Sequence, residues 1–371
     1  MIEKNLLIFI PSVEGGGVEK NFFLITNYLS KKFQKVVVIT TNKNEIKNKL
    51  SNKIKLIGPN LKNSYSNSRY PKYFLCILYL IKYLVRNQNT LVFSFQANGY
   101  ASVISKIFRK NIITRSNSSS EGWSKNSLKI LLYKFFFKFP DKVIVNSYEF
   151  KNELDKKFNI KTKTIYNPLN KKEIIKKSKI KFNLKFFKTK DLKIITVGRL
   201  VDQKNQITLL KALNLIKEKI NFKLIIIGRG KEKNNLERFI ANNKIKKLVK
   251  FIPFQKNPFK YIIKSDLFIL SSKFEGLPNV LLEAQALRKY IISTSCPTGP
   301  NEILLKGTLG DLVPVQNYKK LASKILFFNK NKKKFFIKSK IDSAFKKLSR
   351  FDYHNNMKKY EKIIKEYIYY R

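Results

Sequence analysis

Short apolar runs alternate along this chain with longer stretches whose apolar positions recur every three or four residues. In the first half the runs are LLIFIP, KVVVITT, TLVFSF, NIITRS and KVIVNS, and the first is followed by a helical pattern from Val18 to Lys31. In the second half they are KIITVG, KLIIIG, DLFILSS and YIISTS. Apolar runs without polar alternation read as strands buried on both faces, and strands separated by helices imply a parallel sheet covered on each side. The pattern occurs twice, so each half reads as a Rossmann-like α/β unit. Between the halves, IYNPLNKKEIIKKSKIKFNLKFFKTKDL (165–192) is Lys-rich and weakly periodic and opens on Asn167-Pro168, which suits an interdomain connection. The expected organisation is an N-terminal domain over residues 1–166, a C-terminal domain over 167–350 and a terminal helix over 351–371, where Tyr and Ile fall at helical spacing.

Length agrees with this division, because 371 residues suit two domains of ordinary size. Charge adds a question. Lys and Arg number 77 against 24 Asp and Glu, for a net charge of +53, which implies long-range attraction to anions such as nucleic acid, an acidic membrane surface or a phosphorylated substrate. Against a specific role stands the even scatter of lysines along every segment, as compositional drift in a Lys-, Asn- and Ile-rich chain would produce. The aromatics lie within apolar runs and no nucleic-acid-binding module is recognisable, which speaks against a nucleic-acid partner.

Cys76 and Cys296 stand far apart, without CxxC or Cys/His spacing, so neither a disulfide framework nor a zinc site is expected and the cytoplasm is the expected compartment. The run before Pro11 reads as a first strand, not a secretory signal. The most apolar stretch, YFLCILYLIKYLV (73–85), is shorter than the roughly 20 residues a spanning helix needs and carries Lys82. A basic, aromatic stretch, SLKILLYKFFFKFP (127–140), suits either domain core or rest on an anionic membrane surface, since a Leu/Phe stripe at helical spacing serves both.

In a doubly wound sheet, ligands bind outside the carboxyl ends of the strands, which directs attention to four loops. PSVEGGGVEK carries Gly15, Gly16 and Gly17 into a helix beginning near Val18, whose first amides can receive a phosphate. It is not G-x-G-x-x-G and lacks a GKS or GKT ending, which argues against dinucleotide oxidoreductases and P-loop enzymes. GRLVDQKN places Arg199 and Lys204, a fork-shaped cation and a point charge, where a diphosphate would suit them. GRGKEKN follows the next strand. In SSKFEGLPNVLLEA, Glu275 and Gly276 form a loop, Pro278 suits a first helical turn and Glu283 falls in the second turn. Two carboxylates facing the strand ends would accept hydrogen bonds from sugar hydroxyls, one on a ribose and one on a hexose. The plain alternative is an acid near a helix N-terminus beside a solvent-facing one. After the next strand, SCPTGPNEIL opens another helix at Gly299 and Pro300, with Asn301 and Glu302 in its first turn.

The ordered set GGGVEK, IYNPLN, VGRLVDQKN, IIGRGKEKNNLE, FEGLPNVLLEA and CPTGPNEI resembles the GT-B glycosyltransferases of family 4, retaining enzymes that use nucleotide-sugar donors. The resemblance spans nearly the whole chain. It implies two Rossmann-like domains facing a central cleft, with the terminal helix crossing back to the N-terminal, acceptor-binding domain. By it, Glu283 would bind the donor ribose, Glu275 the transferred sugar, and Arg199 and Lys204 the diphosphate. Gly16 and Gly17 would approach the phosphates, and Gly228 and Gly230 would border the nucleotide. Gly198, Gly276, Leu277, Pro278 and Asn279 would complete the donor side. Gln96, Asn98 and Arg115 are the acceptor-side candidates. Many relatives carry a His near the sugar, whereas the one histidine here is His354, near the C-terminus, so Gln96 and Asn98 of SFQANGY are the polar groups expected in its place. No metal and no cofactor are expected. The implied partners are a nucleotide-diphosphate sugar, UDP-linked by preference, a glycan or polyprenyl-diphosphate-linked acceptor, and an anionic membrane at whose inner face the protein would work in surface polysaccharide synthesis.

Overall fold

Two units divide the chain, residues 1–168 with 353–371, and residues 169–352. The computed structural model describes residues 4–13, 15–59, 70–117, 127–187 and 190–369. The division falls two residues past each expected boundary.

Among the described residues of the first unit, the sheet has seven parallel strands: β1 (Asn5–Phe9), β2 (Val36–Ile39), β3 (Ile54–Ile57), β4 (Thr90–Ser94), β5 (Asn111–Ser116), β6 (Lys142–Val145) and β7 (Lys163–Thr164). Their spatial order is β3-β2-β1-β4-β5-β6-β7. Between them run α1 (Gly17–Leu29), α2 (Lys43–Ile46), α3 (Tyr70–Arg86), α4 (Asn98–Ile107), α5 (Ser127–Phe136) and α6 (Tyr148–Phe158). Side chains alternate across β1, and the two faces feed different cores. Leu6 and Ile8 pack with Phe22, Ile25 and Leu29 of α1. Leu7 and Phe9 pack with Cys76, Leu80 and Leu84 of α3. Both faces are dry, which is why the run LLIFI is continuous and not alternating.

The second unit repeats the plan with six parallel strands among its described residues: β8 (Leu192–Val197), β9 (Phe222–Ile227), β10 (Val249–Ile252), β11 (Leu267–Leu270), β12 (Tyr290–Thr294) and β13 (Asp311–Val313). Their order is β10-β9-β8-β11-β12-β13. Its helices are α7 (Lys171–Ser178), α8 (Gln206–Leu215), α9 (Lys233–Asn242), α10 (Phe259–Ile262), α11 (Asn279–Ala286), α12 (Pro300–Ile303), α13 (Tyr318–Asn331) and α14 (Phe335–Lys347). The chain reverses its direction across the sheet between β1 and β4 in one unit and between β8 and β11 in the other. Such switch points open a crevice at the carboxyl edge.

The 165–192 segment is not a plain connector, and residues 188 and 189 lie outside the described residues. The chain passes between units at Pro168 and Leu169, and residues 169–352 form the second unit. Asn170 caps α7 by accepting from the Glu173 amide at 3.1 Å while its own Nδ2 donates to the Glu173 carboxylate, a reciprocal arrangement that starts a helix despite the lysines. Ile174 and Phe187 are buried. Local capping and two buried anchors outweigh the weak periodicity.

The last helix, α15 (Tyr353–Ile368), joins the first unit. Met357, Tyr360, Ile363, Ile364 and Ile368 fill the core beside α1, and the Tyr28 hydroxyl donates to Glu361 at 2.6 Å.

Candidate active site

The second unit gathers its chemistry at the β8/β11 switch point. The loop after β8 carries Gly198, Arg199 and a one-turn segment, Asp202–Lys204, that ends at Asn205 with a positive φ of 49°. The loop after β11 carries Ser271 to Pro278. Several bonds tie the two loops together, a Lys273–Asp202 ion pair at 2.5 Å among them. Lys204 Nζ meets Glu275 Oε1 at 2.5 Å, the Lys273 amide donates to Gln203 O at 2.8 Å, Gln203 Nε2 donates to Phe274 O at 2.9 Å, and Ser271 Oγ donates to Lys204 O at 3.1 Å. Residues 71 positions apart in sequence therefore form one polar edge.

Glu275 is held from several sides. Ser272 Oγ donates to its Oε1 at 2.5 Å, its amide donates to Pro297 O at 3.2 Å, and Thr298 Oγ1 donates to its carbonyl at 2.7 Å. Its side chain is 7% exposed and that of Lys204 15%, so the pair is largely withdrawn from water. A buried pair is costly to break from one side, about 3–5 kcal/mol, because the remaining charge has no hydration to fall back on. Glu283 sits in the second turn of α11 and is also buried. The solvent-facing alternative for the two carboxylates therefore does not hold.

Arg199 differs, being exposed, with its Nη2 3.2 Å from Gln203 Oε1 and its carbonyl receiving a bond from Gln206 Nε2 at 2.9 Å. A fork-shaped cation fixed at its backbone and open at its guanidinium can accept an incoming anion. The loop after β12 closes on this edge: Gly299, at φ +88°, approaches so closely that a Cβ there would lie 2.1 Å from Gly276 O. Nearby, burial and then the Glu275 carboxylate push the Cys296 thiol up to about 12, which keeps it protonated and unsuited to nucleophilic attack. The helix that Gly299 and Pro300 open, α12, is a single turn.

Several expected residues have a packing reason for their identity. A Cβ at Gly228 would lie 1.9 Å from Gly198 O, and one at Gly230, at φ +156°, would lie 2.1 Å from Leu200 O. These glycines let the loop after β9 lie on the loop after β8, whatever else they border. Gly198 itself would accommodate a methyl, the nearest atoms being those of Lys204 at 3.7 Å. Gly16 is the extended N-cap of α1 and Gly17 its first residue, one position before the expected start near Val18.

In the first unit, Gln96 Oε1 accepts from the Ser12 amide at 3.1 Å, joining the loops after β1 and β4. Asn98 is occupied on both sides, accepting from Ser94 Oγ at 2.9 Å and donating to Arg115 O at 3.1 Å. Arg115 corrects the expectation of an acceptor contact. It is wholly buried, and donates through Nε to Tyr360 Oη at 2.8 Å and through Nη2 to Asn167 Oδ1 at 2.6 Å, beneath the Phe95 ring. Its position on β5 turns the side chain into the face that α15 covers, where it braces the core. His354 is exposed on α15 against Tyr353. The residues overlooked in the sequence are Ser272, Gln203 and Thr298, each within a strand-end motif but without a recognisable partner until the loops meet.

The chain is similar in sequence and fold to known glycosyltransferases. Residues 177–343 match the family described as glycosyl transferases group 1. A glycosyltransferase of Methanocaldococcus jannaschii, itself uncharacterized, is 34% identical over 54% of this chain and 53% of its own length, so the match spans about half of that protein. The N-acetylgalactosamine-N,N'-diacetylbacillosaminyl-diphospho-undecaprenol 4-alpha-N-acetylgalactosaminyltransferase of Campylobacter jejuni is 29% identical over 85% of this chain and 87% of its own. In three dimensions the chain is similar to Anabaena HepE in complex with UDP-glucose, with a TM-score of 0.80 at 17% identity over 98% of this chain and 100% of that one.

Proposed function

We propose that this chain, a glycosyltransferase of the GT-B fold, moves a hexose or N-acetylhexosamine from a UDP-sugar to a glycan or polyprenyl-diphosphate-linked acceptor, with retention of configuration, in surface polysaccharide synthesis. The observation that carries the reading is the buried Lys204–Glu275 pair across the β8/β11 switch point, with the open guanidinium of Arg199 on the same edge. The UDP-glucose of the HepE structure and the lipid-linked acceptor named for the C. jejuni enzyme support the donor and acceptor classes.

In this reading the diphosphate lies against Arg199 and Lys204, the ribose hydroxyls donate to Glu283, and the sugar hydroxyls donate to Glu275. The bond from the anomeric carbon to the phosphate oxygen breaks as the acceptor oxygen bonds to the same face of that carbon. The acceptor's proton passes to the departing phosphate oxygen, so no strong side-chain base is needed. Charge that develops on the leaving diphosphate is met by cations already in place, which is the largest source of acceleration in sites of this kind. Lys204 is shared between Glu275 and the diphosphate, and the carboxylate holds it there before the donor arrives. The chemistry needs no metal, and the protein works at the inner face of the membrane that carries its acceptor.

Calorimetric titration at physiological salt with UDP, UMP, GDP and a short oligonucleotide tests the donor assignments. Salt suppresses non-specific attraction to the +53 charge. Saturable UDP binding is expected. Arg199→Ala should weaken UDP by roughly 10-fold or more, the worth of a charge-assisted hydrogen bond, while changing UMP little. Glu283→Ala should weaken UDP and UMP alike, because both carry the ribose. Unchanged UDP affinity in Glu283→Ala would remove the ribose assignment, and tight oligonucleotide binding without nucleotide preference would remove the donor site altogether.

A further inference from the structure

The helices α3, α4 and α5 of the first unit lie side by side on one face of its sheet. Leu80 and Leu84 of α3 and Ala101 of α4 enter the same core, and α5 packs onto α4 where Gly99 leaves room for Phe136, whose ring a Cβ at that glycine would meet at 2.8 Å. Their opposite, outer sides carry large apolar side chains in water: Phe74 is 62% exposed, Val85 60%, Ile107 70%, Leu131 63% and Phe135 53%. An apolar face of this extent on a folded domain marks a surface that something covers.

Charge identifies what covers it. Between Ile46 and Pro140 the sequence has a single acid, Glu121, out of 24 in the chain, where an even spread would place several. No acid lies on α3, α4 or α5, while Lys82, Arg86, Lys129 and Lys134 are exposed among the apolar residues. Uniform drift toward lysine adds cations everywhere but does not clear one segment of acids. A second copy would set the same cationic face against itself, which like charge opposes. Among the described residues no helix is long and apolar enough to cross a membrane. Apolar residues with interleaved cations on one side of a helix, and core contacts on the other, are the pattern of a surface that rests in the headgroup layer.

We infer that the outer face of α3, α4 and α5 docks on a bilayer of anionic phospholipids, with α3 and α5 inserting apolar side chains and their lysines and arginine meeting the headgroups. This gives a surface to the membrane side of the proposed function, yet it rests on the first unit alone and not on the donor chemistry.

The test is flotation of the full-length protein with phosphatidylcholine vesicles, with and without 30% phosphatidylglycerol, at about 0.15 M salt, the regime in which exposed charges are screened beyond roughly 8 Å. The protein should float with the anionic vesicles and stay behind with the neutral ones. Leu131→Glu with Phe135→Glu should weaken partitioning at least 10-fold. Leu215→Glu with Ile263→Glu, an equal charge change at exposed sites of the second unit, should leave it unaltered. UDP affinity, measured in parallel, should be the same in all variants, so a failure of docking is distinguishable from a failure of the transferase reading. The inference is overturned if the wild type ignores anionic vesicles, if the control pair weakens partitioning equally, or if the face proves instead to hold a dimer in solution that the first pair dissolves.

Discussion

Glu275→Gln is expected to lower sugar transfer by on the order of 10²–10³-fold while leaving UDP affinity within about threefold. The amide keeps the shape of the carboxylate and can still accept from Ser272 and Lys204, which meet Glu275 Oε1 at 2.5 Å each. What it loses is the negative charge that holds Lys204 in line and that, in the proposed reading, receives the sugar hydroxyls. UDP carries no transferred sugar, so its affinity reports the diphosphate and ribose contacts alone. Transfer is read as UDP release from a UDP-sugar with a polyprenyl-diphosphate-linked glycan present, and slow hydrolysis of the donor by water gives a second readout that needs no acceptor. Rates equal to wild type in both assays would show that Glu275 only anchors the loop. Glutamine is preferred to alanine because Glu275→Ala strands Lys204 in a mostly dry site, at about 3–5 kcal/mol, and would mix instability with lost chemistry.

Ending the chain at Asp352 is expected to unfold the first unit and leave the second intact. The lost helix supplies Met357, Tyr360, Ile363, Ile364 and Ile368 to a core in which each is at most 5% exposed. Burying one such side chain stabilises by about 1.5–3 kcal/mol, so five approach the whole stability of a domain, about 5–15 kcal/mol. Arg115 would also lose Tyr360, one of its two hydrogen-bond partners. Limited proteolysis should then digest residues 1–168 and spare 169–352, and the graded version, Ile364→Ala, should cost about 2–5 kcal/mol in denaturant unfolding. Protease resistance across the first unit of the shortened chain would contradict this.

The central strands of both sheets were legible because they are dry on both faces and so read as unbroken apolar runs. The edge strands were not. β3 (IKLI) and β10 (VKFI) are four residues long, each broken by an exposed lysine, β7 has two residues, and β13 is a three-residue DLV, so none offers a run to detect. At the site, the two carboxylates and the two cations were legible as chemistry after strands. Their pairing was not, since Lys204 and Glu275 meet only when β8 and β11 become neighbours. Arg115 shows the reverse failure. A scarce arginine at a strand end resembles a ligand contact, and only the arrival of α15 from far along the chain encloses it. The exposure of α3 was likewise hidden, because its apolar residues have the same composition whether they face a core or a lipid surface.

The placement of α15 also fixes a timetable for synthesis. A ribosome finishes residues 1–168 long before it reaches Tyr353, and at about 5–20 residues per second the interval is roughly 10–40 s. Throughout it the sheet face formed by Leu6, Ile8 and Phe93 lacks its final cover, whereas the intervening unit is continuous and can close as it emerges. Protease challenge of nascent chains stalled before Tyr353 would reveal the order, with early protection of the first unit as the contrary result. The domain translated first is thus the one completed last, and for that interval part of its apolar core waits uncovered.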